Sequence, residues 1–191
     1  MEDSKPLKKQ VSTKKKAKDH TEELVDHYWG TINYLTNLIK ASEIKAGLIL
    51  SFYGILLNFI YQGATSISNS LDRNTIIYIL ISAWIFCTSA SIFFCIRCFM
   101  PKIEGKFNKN MFFFKDIITK FGTVEEFSKT FLKKSKNEDS LFLQLGEQIF
   151  ILSKISAWKF KNVRRAISLL ALGLFILFLT GILHFIIILN P

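Results

Sequence analysis

Charge is what three stretches of this chain lack. Residues 46–62, 75–96 and 166–190 contain no Lys, Arg, Asp or Glu, although the 191-residue chain carries a formal net charge of +10. A soluble domain of this length interleaves its charges with its apolar residues, and segregation on this scale excludes that class. A charged side chain at the bilayer centre costs about 3 kcal/mol even on lenient insertion scales, so three charge-free runs mark membrane spans. Enzyme signatures are missing as well. There is no phosphate-cradling glycine loop, no Gly-x-Ser-x-Gly and no His-Glu-x-x-His, and the only histidines are His20, His27 and His184. The expectation is a protein that is not an enzyme and takes no cofactor or metal.

Cysteine is scarce too. Cys95-Ile-Arg-Cys98 forms a Cys-x-x-Cys at the end of the second run, and Arg97 between the two could lower a thiol pKa. No second pair completes a zinc site, and Cys87 in mid-span gives no disulfide framework. The pair reads as packing thiols. A secretory signal is also absent: Lys5, Lys8, Lys9, Lys14, Lys15, Lys16 and Lys18 form a basic arm, but no apolar run or small-residue cleavage site follows closely. Residues 1–20 are expected to be disordered and to lie against anionic headgroups. No base-reading module accompanies the charge, so nucleic acid is not an expected partner.

What is present fixes a topology. The first span, 46–62, covers ~26 Å as a helix, at the short limit for a hydrocarbon core of ~30 Å. The third, 166–190, is the most apolar, with 17 of its 25 residues Leu, Ile or Phe. Nine Lys precede the first span, and fifteen Lys or Arg lie between Arg97 and Arg165. The connection at 63–74 holds only Asp72 and Arg73, and Pro191 alone follows the last span. Basic loops stay cytosolic, which places the N-terminus and residues 97–165 inside and the C-terminus outside.

The remaining segments keep a helical period. Leu24, Tyr28, Leu35, Leu38 and Ser42 recur at helical spacing, so residues 21–45 are expected to run as a helix into the first span, with Gly30 the one candidate kink. Leu141, Leu145, Gln148, Leu152, Ser156 and Lys159 share a stripe leading into the third span, with Asp139 as the expected N-cap. Thr123-Val-Glu-Glu126 is a capping box opening a short helix to about Lys134. Residues 101–122 are expected to be loop, with Met111-Phe-Phe-Phe114 too apolar to be left in water. The fold class is all-α: an integral membrane protein with three transmembrane helices, two of them extended by long cytosolic helices.

Small and polar residues form stripes within the spans: Gly47, Ser51, Gly54, Asn58 and Gln62 on the first, Ser82, Ala83, Ser89 and Ala90 on the second, and Ala166, Gly173, Thr180, Gly181 and His184 on the third. Small residues let helices approach closely and buried amides hydrogen-bond across them. These stripes either pack the three helices of one chain or let protomers assemble, and in the second case Asn58 and His184 would line a polar path in the outer half of the bilayer.

Three segments also resemble a known family. Ala41-Ser-Glu-Ile-Lys-Ala-Gly47 leading into Leu-Ser-Phe-Tyr-Gly-Ile-Leu-Leu is similar to the start of the first span in Pycsar effectors of the transmembrane type. Asn110-Met-Phe-Phe-Phe-Lys-Asp-Ile117, after Pro101, resembles their central Phe-Phe-x-Asp-Ile element. Gln148-Ile-Phe-Ile-Leu-Ser-Lys-Ile155, followed by Lys159 and Lys161, resembles the helix entering their last span. Order and spacing agree from about Glu22 to the C-terminus, and only the Lys-rich arm falls outside.

The resemblance implies a bacterial antiphage effector of the inner membrane. In that family a neighbouring pyrimidine cyclase, activated by infection, makes cyclic CMP or cyclic UMP, the membrane effector responds, and the cell dies before phage spread. An anionic cyclic nucleotide needs cations and a stacking surface. In or near the matching elements, Lys45, Phe113, Lys154, Trp158 and Lys159 would supply these, while Glu43, Asp116 and Gln148 would meet a base edge or pair with neighbouring Lys. The alternative is that the same residues stitch the helices together. The implied partners are the cyclic nucleotide, membrane lipids and further copies of the chain. Competing functions are an accessory membrane subunit without ligand and a holin-like pore former that needs no nucleotide.

Overall fold

A computed structural model describes the backbone of residues 5–67, 75–100 and 109–189, and the side chains of 20–63, 75–100, 109–187 and 189. Five helices follow one another: α1 (Lys5–Ile67), α2 (Thr75–Phe99), α3 (Phe114–Lys120), α4 (Val124–Ser135) and α5 (Glu138–Leu189). No strand occurs among the described residues. α1, α2 and α5 each hold a stretch long and apolar enough to cross a membrane. The chain is an all-α membrane protein, as its hydropathy predicts. Residues 68–74 of the expected external connection, residues 101–108 of the expected loop, and the side chains of the basic arm lie outside the described residues.

Three boundaries differ from expectation, each for a local reason. The arm expected to be disordered is helical from Lys5. Pro6 is the second residue of α1, where a missing N–H breaks no intrahelical bond, and the Lys, Gln and Ala that follow are good helix formers. They also extend an existing helix, which needs no new nucleus. α5 begins at Glu138, and its cap is Asn137 rather than Asp139: Asn137 Oδ1 accepts the Ser140 N–H at 2.9 Å. Glu138 and Asp139 instead occupy the first turn, where negative charge suits the helix dipole. The expected loop before Gly122 contains α3, which no side chain caps at Phe113. The capping box at Thr123 is as read, with Oγ1 accepting the Glu126 N–H at 3.2 Å, and α4 ends at Ser135.

The chain divides into two compact units. The first joins Met1–Asn37 to Glu104–Lys154. Its apolar core holds Ile32, Met111, Phe121, Leu145 and Ile151. Burying side chains of this size stabilises a fold by roughly 2 kcal/mol each. Aromatic rings surround it: Trp29 meets Phe112 edge-on at 5.7 Å, Phe112 meets Phe131 at 5.9 Å, and Tyr28 lies 5.4 Å from Phe142. Of the apolar run expected to avoid water, Met111 is buried, Phe112 and Phe113 are half-buried, and Phe114 is exposed.

The second unit joins Leu38–Ile103 to Ile155–Pro191 and contains all three membrane runs. Ala46, Ile49 and Tyr53 of α1 pack with Cys95 and Cys98 of α2 and with Val163 and Ala166 of α5. Ser91 Oγ donates to the Ala166 carbonyl at 2.8 Å, a direct bond between α2 and α5. Lipid tails are as apolar as leucine, so close fit and such bonds, rather than hydrophobicity, hold spans together. The small side chains at Ala46, Ala166, Ser91 and Cys95 permit that approach.

Candidate functional site

The eight residues that the resemblance nominates for ligand binding fall four to each unit. In the second unit, Glu43 and Lys159 come together. Lys159 Nζ lies 2.6 Å from Glu43 Oε1 and donates to the Cys98 carbonyl at 2.8 Å. The Lys159 side chain is 2% exposed and that of Glu43 39%. α5 brings Lys159 to this point because the residue closes the stripe that runs through Leu145, Gln148 and Ser156, all of them buried. An ammonium taken out of water needs both a counter-charge and hydrogen-bond acceptors, and it has both here. Cys98 Sγ in turn lies 3.8 Å from the Ser42 carbonyl, so one contact cluster ties together α1, the end of α2 and α5. Trp158 and Lys45 lie at the rim. The Arg97 guanidinium stands 5.5 Å from the Trp158 ring, and the exposed Lys45 ammonium 5.9 Å from Phe160.

In the first unit, Asp116 and Gln148 are buried, Phe113 is half-buried and Lys154 is exposed. Asp116 belongs to a network that sequence reasoning did not assemble. Asn110, fully buried, donates its N–H to Asp116 Oδ2 at 3.0 Å and its Nδ2 to the Gln144 carbonyl at 2.8 Å and Glu147 Oε2 at 3.2 Å. Its Oδ1 accepts the Phe112 N–H at 2.8 Å, while Gln144 Oε1 accepts the Met111 N–H at 2.9 Å. Lys120 Nζ closes the group against Asp116 at 3.0 Å. Irregular backbone cannot enter a core with its N–H groups unpaired, and these side chains supply the missing partners. The signal for it lay in Asn110, which opens the quoted motif, and in Gln144, Glu147 and Gln148, which share one helical face. Gln148 Oε1 is buried and has no hydrogen-bond partner among the described residues. Lys154 holds its ammonium 4.8 Å from the Phe150 ring.

The stripes within the spans divide differently. On α1, Gly47 is half-buried, and a Cβ added there would lie 4.0 Å from Phe99 Cζ, whereas Ser51, Gly54, Asn58 and Gln62 are exposed. The packing face of α1 is instead Ser42, Ala46, Ile49 and Tyr53. At 100° per residue the two faces lie about 150° apart, almost opposite. Gln62 Nε2 donates to Asn58 Oδ1 at 3.3 Å along the outward face. On α2, Ser82 and Ser89 are exposed, and the seam runs through Trp84, Cys87, Thr88, Ser91 and Cys95. On α5, Ala166 and Gly173 are buried, Gly173 against Trp84 and Cys87, while Gly181 is open and His184 partly covered. The Cys95–Cys98 pair sits wholly within the packed core as free thiols.

No curated protein matches the chain, and no solved structure does. A family model described as the Pycsar effector protein domain, PycTM, matches residues 27–187, which takes in the first two membrane runs, the third as far as Ile187, the Asn110 network and the Lys159–Glu43 pair. The chain belongs to this family of Pycsar effectors, and is thus a membrane effector of antiphage defence rather than a cyclase.

Proposed function

We infer that the protein lies in the bacterial inner membrane with its N-terminus and residues 97–165 in the cytosol and its C-terminus outside. It responds to cyclic CMP or cyclic UMP from a neighbouring pyrimidine cyclase by impairing membrane integrity, which kills the infected cell. The family match over residues 27–187 carries this reading. The distribution of basic residues supports the orientation.

Ligand binding by Glu43, Lys45, Phe113, Asp116, Gln148, Lys154, Trp158 and Lys159 belongs to the same proposal, with the work divided. Lys159 is engaged by Glu43 and the Cys98 carbonyl, so within the second unit the exposed Lys45 is the better cation for a cyclic phosphate. The outward face of α1, where Ser51, Gly54, Asn58 and Gln62 are small or polar and exposed, fits contact with a second copy.

Dye leakage from liposomes holding the purified protein tests this, with cyclic CMP, cyclic UMP, cyclic AMP or nothing added. Leakage triggered by one pyrimidine nucleotide alone supports the proposal, and K45Q with K154Q should then raise the concentration required. Constitutive leakage would favour a holin-like pore former, and an inserted protein silent under all conditions an accessory subunit. A periplasmic reporter fused after Pro191 should be active if the C-terminus is outside.

A further inference from the structure

An open groove of about 480 Å³ lies between α2 and α5, lined by Phe94, Lys161, Arg164, Arg165, Ser168 and Leu169. Lys161, Arg164 and Arg165 recur at helical spacing just before the charge-free run that begins at residue 166, so one groove crosses from basic surface to hydrocarbon. Arg165 holds its guanidinium 5.4 Å from the Phe94 ring, which orients its donors without neutralising them. No carboxylate pairs with any of the three cations among the described residues. The Ser168 hydroxyl is turned back onto the Arg164 carbonyl at 3.0 Å, so the cations are the donors that face the groove.

Three uncompensated cations beside an apolar wall define an amphiphile with an anionic head. We propose that this groove binds the phosphodiester head of an anionic phospholipid, with Arg164 and Arg165 forking onto phosphate oxygens, Lys161 adding a point charge, and the acyl chains lying along Phe94 and Leu169. A cyclic nucleotide carries the same phosphodiester chemistry. Its base and ribose would be left against the apolar wall of Phe94 and Leu169, whereas acyl chains belong there. The proposal requires only that the chain is in a membrane, and it stands apart from any response to a nucleotide.

The test uses the full chain in phosphatidylcholine bilayers with spin-labelled phosphatidylglycerol or spin-labelled phosphatidylcholine as probe. Wild type should restrain phosphatidylglycerol several-fold more than phosphatidylcholine. K161Q/R164Q/R165Q should bring the ratio close to parity, while K129Q/K133Q/K134Q on α4, with the same change in charge, should leave it unchanged. An unchanged ratio in the first variant would overturn the proposal. Should the triple variant fail to fold, photo-activatable phosphatidylglycerol on wild type decides: adducts at Phe94 or within residues 161–169 support the site, and adducts elsewhere alone overturn it.

Discussion

Lys159 and Glu43 form an asymmetric pair: the ammonium is sealed from solvent at 2% exposure, while the carboxylate 2.6 Å away is 39% exposed. The Lys159 ammonium also reaches the Cys98 carbonyl at the end of α2, so a residue nominated as a phosphate ligand ties helices together.

That asymmetry sets the order of two substitutions. Glu43→Ala strands a buried cation and should cost ~3 kcal/mol, whereas Lys159→Met leaves a carboxylate that water can reach and should cost ~1–2 kcal/mol. Denaturation in detergent, followed by helicity, compares them. If Lys159→Met were the more damaging change, the ammonium would not be the dependent partner.

Gly173 tests the seam between α2 and α5. A Cβ there would lie 3.6 Å from Cys87 Cβ and 3.7 Å from Trp84 Cδ1, ordinary contacts, so Gly173→Ala should be close to neutral. Gly173→Leu would overpack the site and cost ~1–3 kcal/mol. Gly54 and Gly181 have nothing within 4 Å of the same position, and leucine at either should leave the stability of the isolated chain unchanged.

Asn110 should be the most sensitive polar residue of the first unit. Asn110→Ala keeps its own N–H on Asp116 but orphans the Phe112 N–H and strips the side-chain amide from the Gln144 carbonyl and Glu147, an expected loss of ~3 kcal/mol. Asn110→Asp adds a third carboxylate to the group and should be worse. Hydrogen exchange at residues 109–121 reads both, and protection equal to wild type would show the network to be dispensable.

Assembly through the outward face of α1 predicts that Ser51→Cys and Asn58→Cys cross-link neighbouring copies in membranes. Phe86→Cys, on the strongly exposed side of α2, should not. Cys87, Cys95 and Cys98 are buried, so they should add no background. Equal cross-linking at all three new positions would mean random collision, and none at Ser51 or Asn58 would remove this face as an interface.

The Thr123 cap offers a smaller test. Thr123→Ala should destabilise α4 by ~1 kcal/mol and Thr123→Ser should restore it, as seen in local hydrogen exchange at Glu126.

Much of this architecture was open to reading. The capping box needed only residues three apart, and the stripe from Leu141 to Lys159 needed only helical spacing. α3 was missed because its neighbour Phe113 offers no capping side chain, and its Asp116 is held by Asn110, six residues before it. The Asn137 cap was missed because Asp139, two residues on, offered the same chemistry.

The sequence by itself determined three membrane runs and the basic segments between them, because exclusion of charge from hydrocarbon is a property of composition and needs no partner. Tertiary structure alone decided which side of each span meets its neighbours. α1 carries two stripes at helical spacing, Ser42-Ala46-Ile49-Tyr53 and Gly47-Ser51-Gly54-Asn58-Gln62, and periodicity cannot choose between them. In water the apolar stripe would go inside. In lipid both surroundings are equally apolar, so the choice falls to shape: the small faces at Cys95, Cys98 and Ala166 fit the first stripe, and the second is left outward.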